Sequence, residues 1–136
     1  MFISWCVKRA GATKKEFKFA MAHSVFVNQA IKNAAKGEGV FQGVEISTHP
    51  PEVGDIIQHN RGGASFDFAF AKTHSSYQSH SVIVIEEGTD SDGRFAFCIG
   101  GNESDSIRRT TIRLDAGGFI KPRGGNSFIA LVKDLK

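Results

Sequence analysis

The sequence predicts an α+β domain, with helices at its N-terminal end packed on an antiparallel sheet of about five strands. Three observations point there. Apolar residues recur at helical spacing only in the first third of the chain. From Val53 onward they fall instead in short alternating or continuous runs, bounded by Gly, Asp and Ser. Fifteen glycines against three prolines supply tight turns between such runs. With 136 residues, 40% of them apolar, the chain suits a single domain over residues 1–136, and its twelve Phe should dominate the core.

The elements follow in order. Phe2 to Ala10 reads as a helix, because Phe2, Ile3, Cys6, Val7 and Ala10 share a face and Gly11 ends the run. No capping residue precedes Phe2, so this helix lacks an entry, and the domain is expected to lack its N-terminal start. A second helix runs from about Ala22 to Ala35, with Val25, Ala30, Ile31 and Ala34 inward and Lys36-Gly37 as its stop. Gly37 to Pro51 reads as a loop with one extended piece at Gly43 to Ile46. Asp55 to Gln58 is a short strand. Gly62 to Tyr77 is ambiguous: Phe66, Phe68 and Phe70 alternate as in a strand, between loop-like flanks. Ser79 to Glu86 holds the most apolar run, Val82-Ile83-Val84-Ile85, and is the expected central strand. Thr89 to Gly93 turns the chain into a hairpin partner, Arg94 to Ile99. Ile107 to Leu114 and Ser127 to Val132 complete the sheet.

Composition narrows the function. A net charge of +3 and a pI near 9.0 fit an anionic partner such as a cell-wall polymer without demanding one. Nucleic acid is not expected, since there is no long basic run or stacking platform, and Arg61-Gly62-Gly63 and Arg123-Gly124-Gly125 read as turns. Cys6 and Cys98 make no disulfide framework. The apolar start is too short for a signal peptide, and no run is long enough to span a membrane. A soluble protein is expected, cytoplasmic unless lysis or a signal-independent secretion system exports it.

An acyl-transfer site on this architecture needs a nucleophile at a helix N-terminus, a His from a facing strand and a polar group to orient that His. His80 opens the strongest strand and fits the second part, although a surface His at a strand start reads the same way. Asn102 follows Ile99-Gly100-Gly101 and fits the third, although Asn after two glycines is also an ordinary turn. A regular hairpin places the end of Arg94 to Ile99 beside the start of the strand with His80. Arg61 and Asp67 lie near the presumed cleft and are candidate substrate contacts. His23, His49, His59 and His74 show no metal-ligand spacing, so neither metal nor other cofactor is expected. Asp90, Asp92 and Gly93 lack the downstream Glu of a calcium loop and read as a hairpin turn. Cys98 reads as a core thiol.

Several of these segments, taken in order, resemble a known group. Phe2-Ile3-Ser4-Trp5-Cys6-Val7-Lys8-Arg9-Ala10-Gly11 looks like the first helix of the bacterial domain of unknown function 2272, and the related cysteine amidases of the CHAP and NlpC type have a similar helix. Ala22-His23-Ser24, Pro51-Glu52-Val53-Gly54-Asp55-Ile56-Ile57, Ser79-His80-Ser81-Val82-Ile83-Val84 and Ile99-Gly100-Gly101-Asn102 extend the resemblance over roughly the first 120 residues. It implies a papain-like fold, a base at His80, an orienting residue at Asn102 and action on peptidoglycan stem peptides or similar amides. It also implies a nucleophilic Cys three residues before Phe2, upstream of Met1, so the chain as given is expected to be inactive. Cys6 is the fallback nucleophile. It sits roughly 10 Å further along the helix, where a core thiol is the competing reading. The rival to an enzyme is a non-catalytic binding or remnant domain of the same fold, from a phage or mobile element.

Overall fold

The computed structural model describes residues 23–61, 63–75, 77–101 and 107–135. They form α1 (His23–Lys36), β1 (Phe41–Val44), β2 (Ile56–His59), α2 (Phe68–Thr73), β3 (His80–Asp90), β4 (Gly93–Gly101), β5 (Ile107–Arg113) and β6 (Phe128–Asp134). The strands make one open antiparallel sheet in the order β1-β6-β2-β3-β4-β5. The chain is thus α+β, with six strands among the described residues where about five were expected. The expected helix Phe2 to Ala10 lies outside the described residues.

Helix α1 keeps its apolar face inward through Val27, Ala30 and Ile31. It stops at Lys36-Gly37 as its sequence suggests. Gly37 takes a φ of 66°, its N–H donates to Ala34 O at 3.1 Å and the Glu38 N–H donates to Asn33 O at 3.0 Å. These two bonds satisfy carbonyls that the last turn leaves open. The buried Asn28 amide donates to Ala71 O at 3.0 Å and joins α1 to α2.

The sheet has an apolar cluster on each face. Ile56 and Val132 pack with α1, Phe41, Ala71 and Ile129 on one side. Ile57, Val82, Val84, Cys98, Ile112 and Leu131 form the other with Ala96, Leu114 and Ile120. The strands alternate between these clusters, as the pleat requires: Ile56 and Ile57 go opposite ways, as do Val82 and Ile83.

Two readings are sharpened. Residues 68–73, ambiguous in the sequence, are helical. Asp67 caps that helix, its carboxylate accepting the Phe70 N–H at 2.9 Å. Phe66 stacks on Phe70 at 4.4 Å and Phe70 on His74 at 3.8 Å, which is a spacing of four residues. The Phe66, Phe68, Phe70 alternation hid this helical period. The hairpin turn is also tighter than expected: β3 runs on to Asp90, which pairs with Gly93 across Ser91-Asp92. The Asp90 carboxylate accepts the Asp92 N–H at 2.9 Å and forms an ion pair with Arg113 at 2.8 Å, so it serves the turn. No described helix is long and apolar enough to cross a membrane.

Candidate functional site

Antiparallel pairing collects five strand termini at one end of the sheet. β2 and β4 finish there, while β3, β5 and β6 begin there. His59, the last residue of β2, lies directly opposite His80, the first residue of β3. On its other side His59 is opposite Phe128, where β6 starts. The two imidazoles meet edge to face, with ring centroids 5.3 Å apart. By alternation His80 shares a face with Val82 and Val84, and His59 with Ile57, so both rings stand at the rim of the second apolar cluster.

Burial is the main electrostatic influence here. It pulls the half-buried His80 down to about 4, helped by the adjacent His59 ring and the Arg61 charge. His59 is lowered too, first by burial and then by the charges of Arg123 and Arg61, against the raising effect of its bond to Asn60. His59 Nδ1 lies 2.8 Å from Asn60 O, so Nδ1 carries the hydrogen and Nε2 is left as the acceptor in the neutral ring. Both rings are therefore neutral near pH 7.

The backbone under this end is held by buried amides. Asn60 donates to Phe66 O at 2.8 Å and to Ser127 Oγ at 2.9 Å, and its own oxygen accepts the Phe66 N–H at 2.8 Å. It thereby ties the segment after β2 to the start of β6. Gln58 donates to Ser79 Oγ at 2.8 Å and exchanges bonds with the Tyr77 hydroxyl. That contact fixes the segment leading into His80. The hydroxyl of Ser81, directly opposite Gln58, is buried without a hydrogen-bond partner among the described residues.

Gly100 sits against His80. A Cβ built on Gly100 would lie 3.1 Å from His80 Nε2, 2.9 Å from Val82 Cγ1 and 3.1 Å from Ser81 O. The imidazole thus occupies space that a side chain on β4 would take. The end of β4 does lie beside the start of β3, as the hairpin reading expects, with Ile99 opposite Ile83. Asn102, the expected orienting residue, lies outside the described residues, and so do Cys6 and Met1.

The two remaining sequence candidates differ. Arg61 is near enough to both imidazoles to depress their pKa values. Asp67 is occupied as the cap of α2. Cys98 is the core thiol it was read as: it is fully buried, and burial pushes its pKa up to about 12, so it is no nucleophile. Among the described residues no three His, Cys, Asp or Glu side chains gather as metal ligands would.

Sequence reasoning missed His59 and Arg123. His59 was weighed only as a metal ligand. Its signal was positional: it ends one strand while His80 begins the next, as antiparallel neighbours do. Arg123 was read only as part of a turn. Its guanidinium lies 4.2 Å from the centre of the Phe128 ring, and its Nε donates to Asn126 O at 2.9 Å.

Residues 1–131 match the family model described as "Uncharacterized protein conserved in bacteria (DUF2272)". No curated protein and no solved structure matches the chain.

Proposed function

The chain belongs to the DUF2272 family of bacterial proteins, and from that premise we propose a papain-like, cysteine-amidase-type domain directed at amide bonds of cell-wall peptides, with His80 as its base. The observation that carries the reading is the seating of His80. It is the first residue of a central strand, half-buried, with Nε2 lodged in the gap that Gly100 leaves. A base needs that combination of fixed orientation and access from one side. The low pKa of His80 keeps it neutral, and a thiolate beside it would stabilise its charged form.

The chemistry follows from those positions. A thiol gives its proton to His80 and attacks the amide carbonyl. The C–N bond breaks as His80 returns the proton to the leaving amine. Water, with His80 again as base, then hydrolyses the thioester. Asn102 is assigned the role of orienting the ring. The nucleophile, by the resemblance to CHAP and NlpC amidases, belongs upstream of Met1, with Cys6 as the fallback.

Turnover of stem-peptide amides tests this. The chain is assayed alone, with any in-frame residues encoded upstream of Met1, and as the Cys6→Ala and His80→Gln variants of each. Activity that requires the upstream thiol and falls about 100-fold or more in His80→Gln is expected. Activity indifferent to His80→Gln would remove the reading. Inactivity of every form, with slow alkylation of Cys6, would favour a non-catalytic binding or remnant domain.

A further inference from the structure

On the reading of His80 as an amidase base, we infer that Arg61 and Arg123 form a carboxylate-binding subsite beside it, so that the preferred substrate is a peptide carrying a free carboxylate close to the bond that is cut. The placement comes from the sheet. Phe128 is the cross-strand neighbour of His59, and Arg123 lies on the Phe128 ring. Arg61 follows two residues after His59, on the segment that Asn60 pins to Ser127. Two guanidinium groups from separate loops therefore lie at this end of the sheet; both act on His59 electrostatically, and Arg61 acts on His80 as well.

Arg123 is prepared for such a role. Its Nε is fixed by the Asn126 carbonyl and its plane is supported by Phe128. Among the described residues it joins no ion pair, and its terminal nitrogens make no hydrogen bond to the protein. A planar, supported guanidinium with its terminal donors outward matches a carboxylate bidentately. His59 cannot be the anion's donor in its neutral form, because its Nδ1 hydrogen is committed to Asn60. A charge-assisted pair with a guanidinium is stronger than a neutral hydrogen bond, so binding is expected to favour a charged terminus over a neutral one of the same size.

The probe is N-acetyl-alanyl-alanine with a free C-terminal carboxylate, compared with the same dipeptide as its C-terminal amide. Binding to the whole chain is followed by calorimetry and by the ring-proton NMR signals of His59 and His80. The carboxylate form should bind about tenfold tighter or more, the size expected of one charge-assisted contact. It should also raise the apparent pKa of both imidazoles. Arg61→Gln and Arg123→Gln should each remove most of the preference, and Arg123→Lys should keep part of it. Arg123 is exposed, and an unchanged unfolding midpoint would certify its variants. Equal binding of the two peptides, or a preference that survives both Gln substitutions, would overturn the subsite. Inorganic phosphate binding tighter than the dipeptide would overturn its assignment to carboxylates. No step of this experiment needs turnover. A failed subsite thus leaves the His80 assay intact, and a failed assay leaves the binding result intact.

Discussion

The two ends of β2 treat charge in opposite ways, although they lie only four residues apart. Just before the strand, Asp55 is buried and fully partnered. Its carboxylate accepts the Glu52 N–H at 2.8 Å and the Asp134 N–H at 2.9 Å, and it forms an ion pair with Lys133 of β6. Lys133 also donates to Pro50 O at 3.2 Å. At the other end His59 and His80 meet edge to face with Arg61 and Arg123 around them, and the pKa values of both imidazoles are driven down. A buried charge that is neutralised on every side locks a strand in place. On the proposed function the other end is the chemical one, where burial and neighbouring cations depress two imidazoles.

The largest effect should come from breaking the structural end. Asp55→Ala leaves Lys133 buried without its carboxylate and frees two backbone N–H groups. A loss of about 3–5 kcal/mol in urea unfolding is expected. Carboxylate binding at the far end should persist wherever the variant remains folded. A loss below about 1 kcal/mol would mean that the two ends are not distinguished by charge pairing. Next comes Asn60→Ala, which strips partners from Phe66 and Ser127 beneath the chemical end. About 2–3 kcal/mol should be lost. Binding should weaken as well, because the Arg61 segment is released, and that second effect is what Asp55→Ala should lack.

Legibility in the sequence followed the same division. The strands around Val82-Ile83-Val84-Ile85 and Phe128 to Val132 were readable because burial on a pleated sheet leaves an alternating or continuous apolar mark. The place of His80 at a strand start was readable because it stands at the mouth of the strongest such run. Helix α2 was not, since three aromatic residues spaced by two imitate a strand, and only the stacking of Phe66, Phe70 and His74 reveals the period of four. His59 and Arg123 stayed hidden for a different reason. They sit 21 and 43 residues from His80 in sequence, and only the register of β2 with β3 and β6 brings them together. Asp55 belonged to a motif that sequence comparison notices, but its partner Lys133 lies at the far end of the chain, and the ion pair appears only once β6 is placed beside β2.

A smaller effect should follow from filling the gap beside His80. Gly100→Ala would bring a methyl carbon within 2.9 Å of Val82 Cγ1 and 3.1 Å of His80 Nε2 and of a backbone oxygen. Val82 is β-branched and stiff, so the imidazole must give way. Stability should fall by about 1–2 kcal/mol. The sharper readout is the His80 ring, whose NMR signal and pKa should both move. An unmoved His80 would show that Gly100 serves the backbone alone.

The smallest expected effect is a pH dependence, and its sign distinguishes the chemical end from the structural one. In the unfolded chain His80 titrates near 6.5, but in the folded protein burial, then His59 and Arg61, hold it at about 4. Between those two values the unfolded chain binds the proton more readily. Stability from this group is therefore complete above about pH 6.5, declines as pH falls through that window and is fully lost below about pH 4. For a half-exposed ring the amount is about 1 kcal/mol after solvent screening. Carboxylates titrate partly in the same range, so the comparison must be with His80→Gln. The slope of unfolding free energy against pH from 6.5 to 4 should be shallower in the variant than in the parent. With the free-carboxylate dipeptide bound, the parent's own slope should flatten too, because an anion on Arg61 and Arg123 raises the folded pKa of both imidazoles. Parallel slopes in parent and variant would show that His80 titrates as an ordinary surface imidazole, and the distinction between the two ends of β2 would then rest on Asp55 and Lys133 alone.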